Sequence, residues 1–375
     1  MRKMRISYID PVTGQTKRTS VDGPTAAAVQ AKAKKVRERL DAGAPPKDAK
    51  QTVADWTKHW CATTLAVSDR ADSTKELYAG LSSSHLEPAP LGAITLDKLR
   101  PSDIEALILA MRAKTKPAKA EGADPVRACA DSTIRTTFIV LRSALDGAVR
   151  DGLLARNPAA LVKCPTVEPQ EAKYLPAGDV TALLKAAEGS RYFAVVMLIA
   201  STGLCRGEAC ALRWDKVDLD AGTLRVTATV NRIKGRLVFG PPKTERRRRE
   251  VPLHPTVVAM LKKHRIAQKE ERLAAGDQWV DTGLVFTTVL GTAVEPRNVL
   301  RTIEIAAKKA GAAGVGVHTL RHSAAVALLE SGTHIKAVAD ILGHSSIAIT
   351  GDVYGHTSDT AARTAIGALG GALGL

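Results

Sequence analysis

Alternation of apolar and polar side chains marks the beginning of the chain. Met4, Ile6 and Tyr8 alternate with polar residues, and a second alternating stretch covers 15–21 after a turn that contains Pro and Gly. A period of two is typical of β-strands, so this segment predicts a β-hairpin. The Ala- and Lys-rich stretch 25–40 that follows predicts a helix.

The next hundred residues change to the spacing of helices. Apolar residues recur there every three or four positions, which places them on one helix face. Pro101-Ser-Asp103 is a typical helix start, and Asp151-Gly152 is a typical stop. The pattern predicts an all-α domain. Its apolar sets are Val53, Trp56 and Trp60; Ile104, Leu107, Ile108 and Met111; and Ile134, Phe138, Leu141 and Leu145.

The last two hundred residues combine stretches with the two-residue period of strands and stretches with the three- to four-residue spacing of helices. Predicted helices cover 177–187, 192–201 and 205–214, predicted strands cover 223–230, 237–239 and 249–253, and helices return from residue 255 onward. With a polar, Pro-containing tether at 163–176, the chain is predicted to be a multidomain α+β protein. The predicted parts are a small β-hairpin/helix module with its linker (1–46), an all-α domain (51–162) and a mixed, mainly helical domain (174–375).

Charge indicates the kind of partner. The 375 residues include 54 Lys and Arg against 38 Asp and Glu, a formal net charge of +16. A chain this basic is typical of proteins that bind a polyanion, although a basic surface that serves only solubility is the alternative. Aromatic residues make up only 3% of the chain, which disfavours base stacking on single strands or RNA loops. Duplex DNA, contacted through its phosphates, is the favoured partner.

Other features of the sequence exclude several classes of protein. No run of about 18 apolar residues is present, so no membrane span is expected. The start, Met1-Arg-Lys-Met-Arg5, leads into polar alternation and not into an apolar signal core, which predicts no secretion. Five cysteines without a C-x-x-C pair indicate reduced thiols and a cytoplasmic location. The absence of a G-x-x-x-x-G-K-[ST] loop argues against an ATP-driven machine.

The candidate chemistry lies in the last third of the chain, where His318, Arg321, His344 and Tyr354 follow one another. They supply a base or donor, a guanidinium, a second imidazole and a phenolic hydroxyl, a set that suits attack on a phosphodiester by tyrosine. A tyrosine hydroxyl has a pKa of about 10, so a neighbour must accept its proton or stabilise its anion. The three-residue spacing of His318 and Arg321 places both on one helix face.

Five motifs in a fixed order carry a family resemblance. The series resembles the tyrosine recombinases, in particular the phage and integrative-element integrases of high-GC bacteria, over about the last 200 residues. The helical middle resembles the core-site-binding domain of that family, and the hairpin and helix resemble its arm-site-binding module. The motifs are Thr202-Gly-Leu-Cys-Arg-Gly-Glu208, Pro242-Lys-Thr244, His318-Thr-Leu-Arg-His322, Leu342-Gly-His344 and Asp352-Val-Tyr-Gly-His356.

The resemblance implies a site-specific recombinase that cuts and rejoins duplex DNA through a 3′-phosphotyrosyl link, without ATP, a metal or any other cofactor. Tyr354 is then the nucleophile. Arg321 is implied to hold the non-bridging phosphate oxygens with its fork of donors. His318 is implied as base or donor, and His344 as a second imidazole that donates to the phosphate. Lys243, between two predicted strands, is implied to protonate the departing 5′ oxygen.

One position departs from the family pattern. Cys205 occupies the slot in which family members place an arginine, and cysteine offers neither charge nor a fork of donors. Arg206 is the next residue, but consecutive side chains on a helix are about 100° apart, so Arg206 is expected to point away from the position of the family's arginine. Loss of one transition-state donor costs on the order of 10²–10³ in rate, so we expect weak turnover that Cys205→Arg restores. Glu208 is expected to orient a neighbouring side chain.

Basic residues elsewhere are expected to contact DNA phosphates. The short hairpin cannot bury much of itself, so its cations are expected to face a partner. A basic, Pro-broken loop over 112–119 is expected to contact the DNA backbone, with a solvated loop as the alternative. The arginine run 246–249 is expected to be a phosphate-binding patch. The full set is Arg5, Lys17, Arg18, Arg112, Lys114, Lys116, Lys119, Arg246, Arg247, Arg248 and Arg249.

The implied partners are double-stranded DNA attachment sites and further copies of the chain, because two paired duplexes need four strand cuts and hence a homotetramer. An accessory DNA-bending or excision factor stays open as a partner, and no membrane partner is expected. Two rival functions remain: a DNA-binding protein of the same fold with a dead site, and a type IB topoisomerase-like enzyme, which the arm-like module disfavours. Zinc bound by His318, His322, His344 and His356 is disfavoured because no cysteine accompanies them.

Overall fold

The chain divides into two compact units, Met1–Pro169 and Gln170–Leu375. The computed structural model describes residues 1–9, 16–41, 51–118, 124–168, 172–242, 244, 247–343, 346–347, 351, 366–367 and 373. Helices and small sheets occur together, as the predicted α+β class requires. The separation of residues 1–46 as a module of its own stays a prediction.

The first unit begins with an antiparallel hairpin and one helix, as predicted. Strands β1 (Arg2–Ile9) and β2 (Thr16–Gly23) pair in register from Arg2 opposite Gly23 to Ile9 opposite Thr16. Helix α1 (Ala26–Asp41) packs on both strands. Ile6 of β1 is buried together with Val29 and Ala33 of α1. These few side chains are a small core, because the alternation of β1 offers only one apolar face.

The rest of the first unit is mainly helical, and its three predicted helix faces are buried, except that Leu107 is half-buried. Trp56 lies at the centre, and its indole N–H donates to the Ala144 carbonyl at 2.7 Å. Asp103 accepts the Arg100 N–H at 2.8 Å at the start of a helix that begins with Pro101, as its sequence predicts. The elements are α2 (Val53–Trp60), α3 (Asp72–Leu81), α4 (Pro101–Ala113), β3 (Thr115–Lys116), β4 (Val126–Arg127) and α5 (Asp131–Arg150).

The basic loop predicted after α4 is partly a strand. Thr115 and Lys116 pair with Arg127 and Val126 in a two-residue antiparallel ladder. The ladder continues the end of α4, because the Ala128 N–H also donates to the Lys114 carbonyl at 2.8 Å. The beginning of this basic segment is therefore held by backbone hydrogen bonds.

The second unit places helices around small antiparallel sheets. Its elements are α6 (Ala177–Ala187), α7 (Phe193–Thr202), α8 (Arg206–Cys210), β5 (Val217–Asp218), β6 (Thr223–Val226), β7 (Thr229–Ile233), β8 (Arg236–Gly240), β9 (Arg249–Pro252), α9 (Pro255–Ala275), α10 (Pro296–Lys309), α11 (Val317–Glu330) and α12 (Ile335–Leu342). β5, β6 and β9 form one sheet in the order β5-β6-β9, and β7 and β8 form a separate hairpin. Helix α7 is buried along most of its length and contacts α6, α8, α9, α10 and α11.

Two predicted elements of this unit are shorter in the structure. The helix expected over 205–214 ends at Cys210, because Leu212 and Arg213 pair instead with a segment far along the chain. The Val285 N–H donates to the Leu212 carbonyl at 2.8 Å, and Arg213 forms a β-bridge with Leu284. The strand expected over 223–230 is divided between β6 and β7, which belong to different sheets. Both changes follow from long-range pairing, which local periodicity does not contain.

Candidate active site

The turn between α7 and α8 is the centre of the candidate site. Helix α7 ends at Thr202, and Gly203 follows in the left-handed region with φ of 65°. A Cβ at this position would collide with the side chain of Leu342 at the end of α12. Glycine is therefore required both by the backbone angle and by the close approach of α12.

Arg321 connects this turn to α12. It lies on α11, is only 5% exposed, and donates from Nη1 to the Gly203 carbonyl at 2.6 Å. Its Nη2 donates to the Leu342 carbonyl at 2.5 Å. Burial lowers the pKa of the guanidinium from its ordinary value, while the nearby Cys205 and Glu208 act in the opposite direction. A guanidinium has five N–H donors, so these two bonds leave donors for a ligand.

Glu208 and Arg249 form a buried ion pair beside Arg321. Glu208 is 3% exposed, and its two carboxylate oxygens accept from Arg249 Nη1 at 3.3 Å and Nη2 at 3.0 Å. The same carboxylate accepts the Cys205 N–H at 3.0 Å, which caps the first turn of α8. Glu208 thus orients Arg249 and the backbone of Cys205, and its supporting role in catalysis stays a prediction.

The two arginines together hold the end of α12. Arg249 Nε donates to the Ile341 carbonyl at 2.6 Å, next to the Leu342 carbonyl that Arg321 contacts. Gly343 then takes a left-handed φ of 68°, and a Cβ there would lie 2.9 Å from Arg249 Nη1. The last carbonyls of a helix lack partners within it, so two cations at this end are favourable. The end of α12 is thus held by two arginines as far as Gly343.

The arginine-slot residue, Cys205, is half-buried and has a guanidinium beside it. Arg247, also half-buried, donates from Nη1 to the Cys205 sulfur at 4.0 Å. Its backbone carbonyl accepts from Arg249 Nη1 at 3.0 Å. The buried ion pair therefore also positions Arg247.

His318 lies one turn before Arg321 on α11 and keeps access to solvent. Burial is the first cause that lowers the pKa of His318 below its ordinary value. The positive charges of Arg321, Arg206 and Arg247 lower this pKa further. The His318 ring centroid lies 6.4 Å from that of His322, whose pKa is lowered by burial, His318 and Arg321. A neutral imidazole is thus favoured next to Arg321, which suits a proton acceptor.

The site is strongly cationic. Arg249 pairs with the Glu208 carboxylate, which also acts on the charge of Arg321, and Arg247 contacts the neighbouring Cys205. Among these described residues, three cations face one carboxylate, which leaves an excess of positive charge. Such a site attracts an anion of the size of a phosphate and stabilises negative charge that develops on it.

The structure brings together four of the predicted catalytic residues: Arg321, His318, Glu208 and Cys205. The other three, Tyr354, His344 and Lys243, lie outside the described residues, and their roles stay predictions. The contact of Arg247 with Cys205 was not among the expectations from sequence. No short-range signal contains it, because the two positions are 42 residues apart.

The expected role of Arg249 in a phosphate-binding patch is wrong. This side chain is buried, and its guanidinium is hydrogen-bonded to Glu208, Ile341 and Arg247 inside the protein. A pattern in the sequence does indicate this position: Arg249 and Val251 alternate with Glu250 and Pro252 in β9, and the first two are buried.

Apart from Arg247, which is half-buried, the other predicted DNA contacts are either exposed or outside the described residues. Arg5, Arg18, Arg112, Lys114, Lys116 and Arg248 are exposed. Lys17 pairs with Tyr8 in the hairpin register, and its side chain lies outside the described part, as do Lys119 and Arg246. Arg5 pairs with Ser20 and Arg18 with Ser7, so both arginines share one face of the hairpin.

Within the described ranges, no group of three His, Cys, Asp or Glu side chains is placed to hold a metal ion. None of the helices described is both long and apolar enough to cross a membrane.

Comparison with known proteins identifies the class to which this fold and site belong. Residues 173–361 match the phage integrase family. The chain belongs to this family of tyrosine recombinases, a class of DNA strand-transferring enzymes.

Two relatives illustrate the similarity in sequence. An integrase of Streptomyces ambofaciens is 31% identical over 307 residues, which cover 78% of this chain and 73% of the relative. A protein described as tyrosine recombinase XerC-like, from Caldanaerobacter subterraneus, is 32% identical over 232 residues. That match covers 57% of this chain and 59% of the relative, so the chain spans less than two thirds of its length.

Two solved structures share the fold. The Tn1549 transposon integrase, in complex with transposon right end DNA, has a TM-score of 0.66 at 20% identity and covers 85% of this chain and 99% of its own. A lambda integrase dimer bound to a COC′ core site has a TM-score of 0.60 at 18% identity, with 94% and 93% covered.

Proposed function

We propose that this chain is a site-specific DNA recombinase of the integrase type, which cuts and rejoins duplex attachment sites through a 3′-phosphotyrosyl intermediate. The observation that carries the proposal is the cationic site at the α7–α8 turn. Arg321 is buried there with spare donors, on the same helix face as His318, whose pKa is lowered by burial and then by the charge of Arg321. This arrangement suits a phosphodiester whose negative charge grows during displacement.

In the proposed reaction, the Tyr354 oxygen attacks the scissile phosphorus. A bond between this oxygen and phosphorus forms while the bond from phosphorus to the 5′ oxygen breaks. The phenolic proton passes to a base, for which His318 is the candidate, and Lys243 gives a proton to the departing 5′ oxygen. Arg321 and His344 donate to the non-bridging oxygens. The reverse displacement by another 5′ hydroxyl reseals DNA, so the reaction needs no ATP.

The proposed assembly is a homotetramer on two paired duplexes, since four strands are cut. The dimeric lambda integrase on its core site and the DNA-bound Tn1549 integrase support an assembly on DNA through their shared fold. We further propose that the hairpin module contacts a second DNA address with Arg5 and Arg18, which are exposed on one face. Accessory DNA-bending or excision factors belong to the same proposal.

A nicked suicide substrate tests this function. The parent protein, or failing that Cys205→Arg, is expected to form a covalent adduct on its attachment site, and Tyr354→Phe is expected to form none while it keeps DNA binding. Adducts that map by mass spectrometry to another tyrosine would contradict the assignment. Adducts without dependence on site sequence would favour a type IB topoisomerase-like enzyme.

A second candidate function is a DNA-binding protein with a dead site, which Cys205 in the arginine slot favours. It predicts site-specific footprints without an adduct, both for the parent and for Cys205→Arg. The suicide substrate therefore separates this candidate from the recombinase.

A further inference from the structure

A closed ring of hydrogen bonds holds Arg247 against the arginine slot. The Cys205 N–H donates to Glu208, and Arg249 donates to the same carboxylate. Arg249 also donates to the Arg247 carbonyl, and the Arg247 guanidinium returns to the Cys205 sulfur at 4.0 Å. Two of these four residues are buried, so the ring fixes the backbone of Arg247 and the direction from which its side chain reaches the slot.

The partner of this guanidinium is a weak one. A thiol is a poor hydrogen-bond acceptor, and the Cys205 sulfur is the one partner that the Arg247 guanidinium has within the described part of the chain. A half-buried guanidinium whose described partner is a thiol favours an anion that can accept from several of its N–H groups. Cysteine is also much shorter than arginine, which leaves the slot open to a side chain from outside α8.

Electrostatic effects distinguish Arg247 from Arg206. After burial, the charge of Arg247 is among the causes that lower the pKa of both Arg321 and His318. Arg206 lowers the pKa of His318 but is not among the causes for Arg321. The hydrogen bond from Arg232 is the largest cause that lowers the pKa of Glu295, and the charge of Arg206 lowers this pKa further. Of these two cations, Arg247 is the one whose charge acts on Arg321, although Arg206 has the larger effect on His318.

We propose that Arg247 supplies the guanidinium that Cys205 lacks, and that it donates to the non-bridging oxygens of the scissile phosphate alongside Arg321. The inference rests on the proposed recombinase function. It makes Arg247 a catalytic residue and leaves Arg248, its exposed neighbour, as a contact with the DNA backbone.

The proposal changes what Cys205→Arg is expected to do. With an empty slot, a new guanidinium would raise the rate on the order of 10²–10³-fold. With Arg247 already in the slot, Cys205→Arg is expected to change the rate of adduct formation by less than about tenfold, since the same phosphate oxygens are already contacted.

A double-mutant cycle tests the inference. Adduct formation on a suicide substrate is measured at saturating protein for the parent, Arg247→Gln, Cys205→Arg and the double variant. In the parent background, Arg247→Gln is expected to lower the rate about 10²-fold or more. In the Cys205→Arg background, the same change is expected to cost less than about tenfold, because the arginine at 205 takes over.

Three matched arginine changes serve as comparisons. Arg272→Gln removes a cation paired with Asp281 at 3.1 Å on α9 and is expected to leave the rate unchanged. Arg206→Gln tests the other arginine near Cys205 and is expected to change the rate of adduct formation only a few-fold. Arg248→Gln is expected to weaken DNA binding more than adduct formation at saturation. Thermal unfolding of each variant reports whether it is folded.

Each outcome has one meaning. The inference is overturned if Arg247→Gln is folded and forms adducts at the parent rate. It is also overturned if Arg206→Gln or Arg248→Gln lowers the rate of adduct formation as much as Arg247→Gln does. It is also overturned if Cys205→Arg gains a hundredfold over the parent while Arg247 is present. If neither the parent nor Cys205→Arg forms any adduct that depends on Tyr354, the proposed recombinase function itself fails.

Discussion

The hairpin and the α7–α8 turn use arginine in opposite ways. Arg5 and Arg18 of the hairpin are exposed on one face, above a core of very few side chains. Arg321 and Arg249 of the second unit are buried, and their donors are directed to backbone carbonyls and a carboxylate. The hairpin arginines are thus exposed to a partner, whereas the buried arginines are first of all held by the protein's own polar groups.

A basic residue near a candidate site therefore does not by itself indicate DNA contact. Burial of an unpaired charge costs several kcal/mol, so a buried guanidinium must find carboxylates or carbonyls. Within the described residues, the Arg249 guanidinium makes four hydrogen bonds, the Arg321 guanidinium makes two, and Arg247 contacts only a thiol. The degree of compensation separates a structural arginine from one that is available to a phosphate.

The largest effect is expected from Arg249→Gln. This change leaves the Glu208 carboxylate buried without its cation, so the free energy of unfolding is expected to fall by about 3–5 kcal/mol. Denaturant unfolding at pH 7 measures it. The control is Arg225→Gln, which breaks an exposed ion pair of 3.3 Å with Glu250 and is expected to cost less than about 1 kcal/mol. Equal small losses for both variants would mean that the buried ion pair stabilises the fold no more than an exposed one.

Substitution of Arg5 and Arg18 by Gln is expected to affect DNA binding and not stability. Removal of one phosphate-binding cation reduces the slope of log affinity against log salt by about 0.9, so the double variant should show a slope reduced by about 2 at the second DNA address. Salt titration of DNA binding measures this change. Lys34→Gln on α1, where Lys34 lies 4.0 Å from Glu38, is the control with an unchanged slope. An unchanged slope for the double variant would mean that the hairpin contacts something else.

The smallest expected effect is the contribution of His318 to the pH dependence of stability. Burial, followed by Arg321, lowers its pKa below the ordinary value of 6.5, so the unfolded chain binds the proton more readily than the folded one. Stability therefore rises with pH in this window and falls as the pH drops through about 6.5. Between pH 7.5 and pH 5.5, the free energy of unfolding should fall less for His318→Gln than for the parent. Equal falls would contradict a lowered pKa of His318 in the folded protein.

Much of the fold could be predicted because its elements have regular periods. The apolar faces of α2, α4 and α5 recur every three or four residues, and β1 alternates, so local geometry already determines which side is buried. The site was predictable in part for the same reason, since the spacing of His318 and Arg321 places both on one face of α11. Helix α8 ended early where a distant segment paired with Leu212 and Arg213, which no local pattern contains.

Short-range patterns along the chain were enough to define most helices and strands, the net positive charge and the family to which the chain belongs. The use made of each arginine depended on the folded arrangement. Arg249 meets Glu208 from 41 residues away, and Arg321 meets Gly203 from 118 residues away. Arg247 likewise reaches Cys205 from a different part of the chain. Such contacts depend on how helices and strands pack, because the energy of a charge is set by its surroundings and not by its neighbours in sequence.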